Sequence, residues 1–305
     1  MYRQRLILFL AVCLTATAAI VGLRPVTTVP ITSSADFWSA KTHLGDSAYD
    51  LVLVGDSRLL MGVSPAAMRE ALPGREILNF GYLGAGLTSD FIEAAIRKLD
   101  PDADEPLLVV SVTPLSLSSR SLPNKHFKQE LHRPASASLG ASGSKGVLGE
   151  VRRAFEPFEP FAHSPIVPDS VSRFREAGWI ASDSPPEKIQ VALQSYTRHF
   201  KSGKFDAANF ERFLGSLKKA AASGIEVLAF RHPSSPAMEA LENRISGFRE
   251  AYVRKRLADA GVTWLPLKGT RGRTAKFASY DGSHLSAQGA VAFSAVLARK
   301  IAAHP

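Results

Sequence analysis

Short runs of uninterrupted apolar residues constrain this chain more than any other feature. Leu51-Val-Leu-Val54 has no polar face, and Leu107-Leu-Val-Val110 repeats the pattern ahead of Ser111-Val112. A strand that is apolar on both sides must be covered on both sides, the condition of a parallel sheet between two helical layers. Further strand candidates at residues 76–80, 225–230 and 262–265 are interleaved with helix signals. Ser64 caps one helix with Pro65 at its first position, and others span about 88–99, 205–222 and 287–302. Strands alternating with helices in this way predict an α/β fold, a three-layer α/β/α sandwich around a mostly parallel five-stranded sheet.

Two short motifs at opposite ends of the chain carry chemistry. Gly55-Asp56-Ser57 follows the first strand directly, so Ser57 is expected at the carboxyl edge of the sheet, where open α/β sheets bind ligands. Asp281-Gly-Ser-His284 precedes the last helix, and its spacing lets the carboxylate reach one imidazole nitrogen and fix the tautomer. The other nitrogen is then free to take a proton from Ser57. The chain holds a control: Gly45-Asp46-Ser47 repeats the tripeptide, but no strand precedes it, and it reads as the glycine and turn that end a helix.

These residues make the sequence resemble the SGNH, or GDSL, hydrolase superfamily. Val54-Gly-Asp-Ser57 is similar to the family's nucleophile block, and Tyr280-Asp-Gly-Ser-His-Leu285 with Ser286-Ala-Gln-Gly289 to its acid and base block. Within Asn79-Phe-Gly-Tyr-Leu-Gly84, Gly84 matches the family's second-strand glycine. The third block departs, because Leu107-Leu-Val-Val-Ser-Val-Thr-Pro114 holds no asparagine. The resemblance implies a flavodoxin-like SGNH sheet with a catalytic triad of Ser57, His284 and Asp281, and an oxyanion site built from the N–H groups of Ser57 and Gly84. Thr113 or Ser111 is left to offer a hydroxyl as third donor. Gly55 and Asp56 are expected to shape the nucleophile loop from outside the chemistry.

The family's domain is expected over residues 50–305, after a tether and lead-in helix at 25–49 and an N-terminal segment at 1–24. Residues 6–23 carry no charge and follow Arg3 and Arg5, which suits a signal anchor of the inner membrane with the domain exported to the periplasm. Thr15-Ala-Thr-Ala-Ala19 leaves cleavage and secretion open. The sole cysteine, Cys13, lies inside that span, which excludes disulfides from the exported part. No zinc-ligand spacing, Rossmann fingerprint or P-loop appears, so neither a metal nor another cofactor is expected.

Residues 115–204 exceed what the minimal fold needs and are expected to form a cap insertion beside Ser57. The formal charge is +9, and Arg120, Lys125, Lys128 and Arg133 open the cap while Lys268, Arg271, Arg273 and Lys276 lead into Asp281. Two basic runs on one rim favour an anionic ligand, and the absence of interleaved aromatics argues against nucleic acid. His232 follows the fourth strand and either meets substrate at that rim or helps cap the next helix. Three classes of function remain open. They are an esterase of envelope or secreted polysaccharide O-acetyl groups, an O-acetyltransferase of the same glycans, and a non-catalytic binding protein of a polysaccharide-biosynthesis complex. A lipid esterase at the membrane is a weaker fourth, since the chain lacks an apolar, glycine-rich approach for long acyl chains.

Overall fold

The four longer strands of the main sheet send alternate residues to its two faces, where separate cores lie, and this fixes the architecture. The computed structural model describes residues 34–43, 45–133, 172–182, 184, 189–267 and 277–304. The apolar segment 6–23, the Ser/Gly stretch 136–145, the aromatic run 155–161 and the basic loop of Lys268, Arg271, Arg273 and Lys276 lie outside the described residues. No helix among the described residues is long and apolar enough to cross a membrane.

Strands β1 (Leu51–Gly55), β2 (Ile77–Gly81), β3 (Leu107–Val112), β6 (Glu226–Arg231) and β7 (Thr263–Trp264) form one sheet in the order β2-β1-β3-β6-β7. All four neighbouring pairs are parallel. Counted within the sheet, this is the flavodoxin-like order, whose switch point lies between β1 and β3. Val52, Val54, Leu108, Val110 and Ala229 face one layer, made by α1 (Ser34–His43), α4 (Ser89–Ile96), α7 (Ala207–Ala222) and α9 (Glu250–Asp259). Leu51, Leu53, Leu107, Val109 and Leu228 face the other, made by α2 (Ser57–Gly62), α3 (Pro65–Arg69) and α10 (Ala287–Ala302). The double coverage is the physical reason the strand sequences are apolar throughout. The fifth strand is shorter than the apolar run 262–265 suggests, because only Thr263 and Trp264 find ladder partners on β6.

The insertion is partly built into the body. Helix α5 (Lys125–Leu131) packs near α1, and β4 (Ser172–Phe174) pairs antiparallel with β5 (Ile180–Ser182) across a 3-10 turn at Glu176–Gly178. Helix α6 (Ile189–Ser202) lies on α8 (Pro236–Ile245), where Ala192, Tyr196 and Phe200 meet Leu115, Met238 and Leu241 in a third, smaller core. Trp179 Nε1 donates to the carbonyl of Met61 at 3.0 Å, so the insertion also touches the helix that starts at Ser57.

The repeated tripeptide shows what context does to three residues. Gly45 has φ +68° in the turn after α1, and Asp46 binds Lys98 Nζ at 2.6 Å, ahead of β1 and not at the carboxyl end of a strand. Its second copy ends β1 instead.

Helix α10 begins where Ser286 Oγ accepts from the Gly289 N–H at 3.2 Å, and it buries Phe293, Leu297 and Ile301 against the sheet. Each such side chain contributes about 1.5–3 kcal/mol. Gly289 sets how closely the helix start approaches the strap carrying His284: a Cβ there would lie 2.1 Å from the Ala278 carbonyl oxygen. Backbone cannot swing aside as a flexible side chain does. Gly289→Ala is therefore expected to lower stability by about 1–3 kcal/mol in urea unfolding. A wild-type midpoint would show that the strap yields freely.

Candidate active site

β1 lies between β2 and β3, and its carboxyl end delivers Asp56 and Ser57 to the sheet edge. Gly55 makes the delivery close, since a Cβ there would stand 2.8 Å from Ser111 Cβ on the neighbouring strand. Asp56 then switches the chain from strand to helix. Its Oδ1 accepts from the Arg58 N–H at 3.0 Å, capping α2, and its Oδ2 accepts from Thr113 Oγ1 at 2.5 Å. Ser57 is thereby the first residue of a capped helix, with its own N–H left without an intrahelical acceptor.

The two distant motifs meet at this edge. Ser57 Oγ lies 2.9 Å from His284 Nε2, and His284 Nδ1 lies 2.8 Å from Asp281 Oδ2. The other Asp281 oxygen accepts from the backbone N–H groups of Ser283 at 2.7 Å and His284 at 2.6 Å. Burial opposes ionisation of Asp281, but the His284 and Ser283 hydrogen bonds and the nearby imidazole outweigh it, holding the carboxyl below its ordinary value. An ionised carboxylate accepts only, so Nδ1 carries the imidazole proton and Nε2 is the acceptor that faces Ser57. The Tyr280 ring lies nearly parallel to the imidazole, with centres 5.8 Å apart and an 11° tilt.

Gly84 sits on the same edge, in an exposed turn after β2 with φ +59°. A side chain is disfavoured in that conformation, and a bare backbone N–H suits an anion site. Thr113 does not take the role of third oxyanion donor. Its single hydroxyl proton goes to Asp56, its oxygen accepts from the Ser116 N–H at 3.0 Å, and the residue is fully buried. Ser111 is equally buried, so neither hydroxyl is open to a substrate.

His232 also departs from the expectation of a rim contact. The ring is buried between Phe293, at 5.0 Å, and Gly62, and its Nδ1 lies 3.1 Å from the Pro233 carbonyl. The cap of α8 is made instead by Ser235, whose Oγ accepts from the Met238 N–H at 3.2 Å. Of the first basic run, Arg133 pairs with buried Glu130 at 2.9 Å and Lys128 approaches Asp90 at 3.8 Å, while Arg120 is exposed.

Three residues outside the motifs stand behind the site. Arg58, Tyr196 and Glu242 join Ser283 of the Asp281 turn in a buried polar cluster beneath Ser57. Arg58 had a sequence signal, a lone cation within the otherwise apolar Ser57-Arg-Leu-Leu-Met61 of a helix that packs on a sheet. Tyr196 and Glu242 had none, because only the fold brings their helices to this edge.

Burial pushes the His232 imidazole down to about 3, so the folded chain refuses a proton that the unfolded chain accepts near the ordinary value of about 6.5. The stability this contributes is complete above about pH 6.5 and drains away as pH falls toward about 3. Between pH 7 and 4.5 this one group is expected to remove about 2 kcal/mol of unfolding free energy. Urea titrations at both values should therefore show a shallower loss in His232→Leu than in wild type. Equal losses would assign the acid sensitivity elsewhere.

No protein-family model matches the chain, and no curated protein matches it. Among solved structures, one described as "a putative platelet activating factor from Streptococcus pneumonia" is similar with a TM-score of 0.40 at 12% identity, over 88% of this chain and 91% of that chain. At that distance the functional reading rests on the geometry of the site itself.

Proposed function

We propose that this protein is a serine ester hydrolase of the SGNH type, acting on O-acetyl groups of a cell-envelope or secreted polysaccharide. The observation that carries the reading is the unbroken relay from Ser57 Oγ through both nitrogens of His284 to Asp281, with contacts of 2.9 and 2.8 Å. Ser57 attacks the ester carbonyl while His284 Nε2 takes its proton, and Asp281 stabilises the imidazolium that forms. The tetrahedral oxyanion is received by the N–H groups of Ser57 and Gly84. Collapse returns the proton from His284 to the leaving sugar hydroxyl and leaves an acetyl group on Ser57. Water, activated by the same imidazole, then releases acetate.

With Thr113 and Ser111 closed off, the reading assigns two backbone donors to the oxyanion. A missing donor typically costs roughly 10²–10³ in turnover, so the enzyme is expected to be slow on small activated esters. The glycan as substrate and the exported location are supported by the resemblance of the motifs and by the uncharged segment 6–23 after Arg3 and Arg5. Acyl transfer to a second sugar shares the first half of the reaction and differs only in the acceptor.

The test is release of p-nitrophenol from p-nitrophenyl acetate by the full chain. Ser57→Ala and His284→Ala are each expected to lose at least about 10³-fold, and Ser47→Ala, on the tripeptide without a strand, to lose nothing. Equal turnover in wild type and Ser57→Ala would overturn the assignment. Inactivity of wild type on both the small ester and acetylated glycans would favour a binding protein on this scaffold.

A further inference from the structure

The buried cluster beneath the relay has a direction. The Arg58 guanidinium is wholly buried one residue after Ser57, and each of its contacts ends on a different element. Its Nε donates to Ser283 Oγ at 2.9 Å, its Nη2 donates to Glu242 Oε1 on α8 at 2.5 Å, and it lies 5.1 Å from the ring centre of Tyr196 on α6. Tyr196 Oη stands 2.6 Å from the same Ser283 Oγ, and the Ser283 N–H is one of the two backbone groups that bind Asp281. The path from the helix of the nucleophile to the carboxylate of the acid is thus three residues long.

The turn is fixed from its other sides as well. Gly282 has φ +80°, and a Cβ there would stand 2.7 Å from Ile189 Cδ1 and 2.8 Å from Ser235 Oγ. The Ser235 N–H donates to the Gly282 carbonyl at 2.7 Å. Stability alone does not account for the charge. Glu242 also accepts from Arg231 Nη2 at 2.9 Å, and ion pairs this deep are often matched or bettered in stability by apolar side chains of similar size. What an apolar side chain cannot do is hold the Ser283 hydroxyl at a set distance and angle.

Resting on the esterase reading, we propose that Arg58 is a positioning residue. Through Ser283 it holds the Asp281–His284 pair in register with Ser57, and Tyr196 of the insertion locks that contact. The two halves of the relay come from opposite ends of the chain, so their spacing needs a tie that neither motif supplies. Displacement by about 1 Å of groups aligned for attack costs on the order of 10²-fold in rate.

The experiment uses the full chain with Arg58→Met combined with Glu242→Gln, which removes both charges together and leaves no orphaned carboxylate. The expected result is a folded protein whose kcat on p-nitrophenyl acetate falls about 10²-fold with KM within a factor of two or so. Arg58→Lys, which keeps the charge but loses the Nε contact to Ser283, is expected to stay low in kcat. A folded double variant or Arg58→Lys with wild-type kcat would overturn the proposal, as would a loss borne by KM alone. Should the double variant not fold, Ser283→Ala cuts the same tie at its other end, and there a wild-type kcat overturns it. A substrate-free readout separates this from the functional reading: the low-field proton resonance of His284 Nδ1–H, present in wild type, should weaken or vanish in these variants. If wild type turns over no ester, the esterase reading fails, and the resonance alone decides whether Arg58 positions the histidine; an unchanged signal rejects it.

Discussion

A buried carboxylate at the end of the first strand holds the functional edge of this protein together. Asp56 ties three elements at once, ending β1, capping α2 through the Arg58 N–H and taking the hydroxyl of Thr113 from the end of β3. Without it, the chain at Ser57 would leave the sheet with uncapped amides and no fixed direction. The arrangement is costly, because burial pushes the Asp56 carboxyl up against the opposing influence of Arg58 and both hydrogen bonds. That cost is tolerated where it fixes a backbone turn to which everything downstream is referred.

Much of this was legible in the sequence because it depends on local pattern. Apolar runs such as Leu107–Val110 name their strands, and the Ser64-Pro65 cap names the start of α3. The pairing of Ser57 with Asp281 and His284 was legible as residue types and spacing, and the sheet order explains why they share an edge. Gly289 was visible only as part of a motif; its reason, a backbone approach of 2.1 Å to a hypothetical Cβ, exists only in three dimensions. Thr113 and His232 mark the limit. Both follow strands at the right edge, but position along a strand says nothing about whether a neighbour such as Asp56 or Phe293 has already claimed the side chain. The sequence places a cap beside Ser57, but the support it lends the Asp281 turn was invisible for a similar reason, since only the fold sets Tyr196 against Ser283.

The insertion changes what kind of domain this is. Without the insertion, the Asp281–His284 turn would be held from the body by Arg58 of α2 and by the Ser235 N–H at the start of α8. Here Ile189 and Tyr196 press on it from α6, and Trp179 anchors the same region to α2 through Met61. Substitutions in that helix are therefore expected to reach the Ser57–His284–Asp281 contacts.

Two aspartates flank the serine and histidine, and their surroundings sort them into different tasks. Asp56 is sealed from solvent, with its donors drawn from α2 and the residue that follows β3, and its ionised form is disfavoured by burial. Asp281 retains slight exposure and receives three hydrogen bonds from the His284 ring and two backbone amides, which favour its ionised form. Only an ionised carboxylate gains from a positive charge forming on the imidazole beside it. The same comparison accounts for the geometry: Asp56 points into the sheet to hold the loop, and Asp281 points at Nδ1, where the charge would develop.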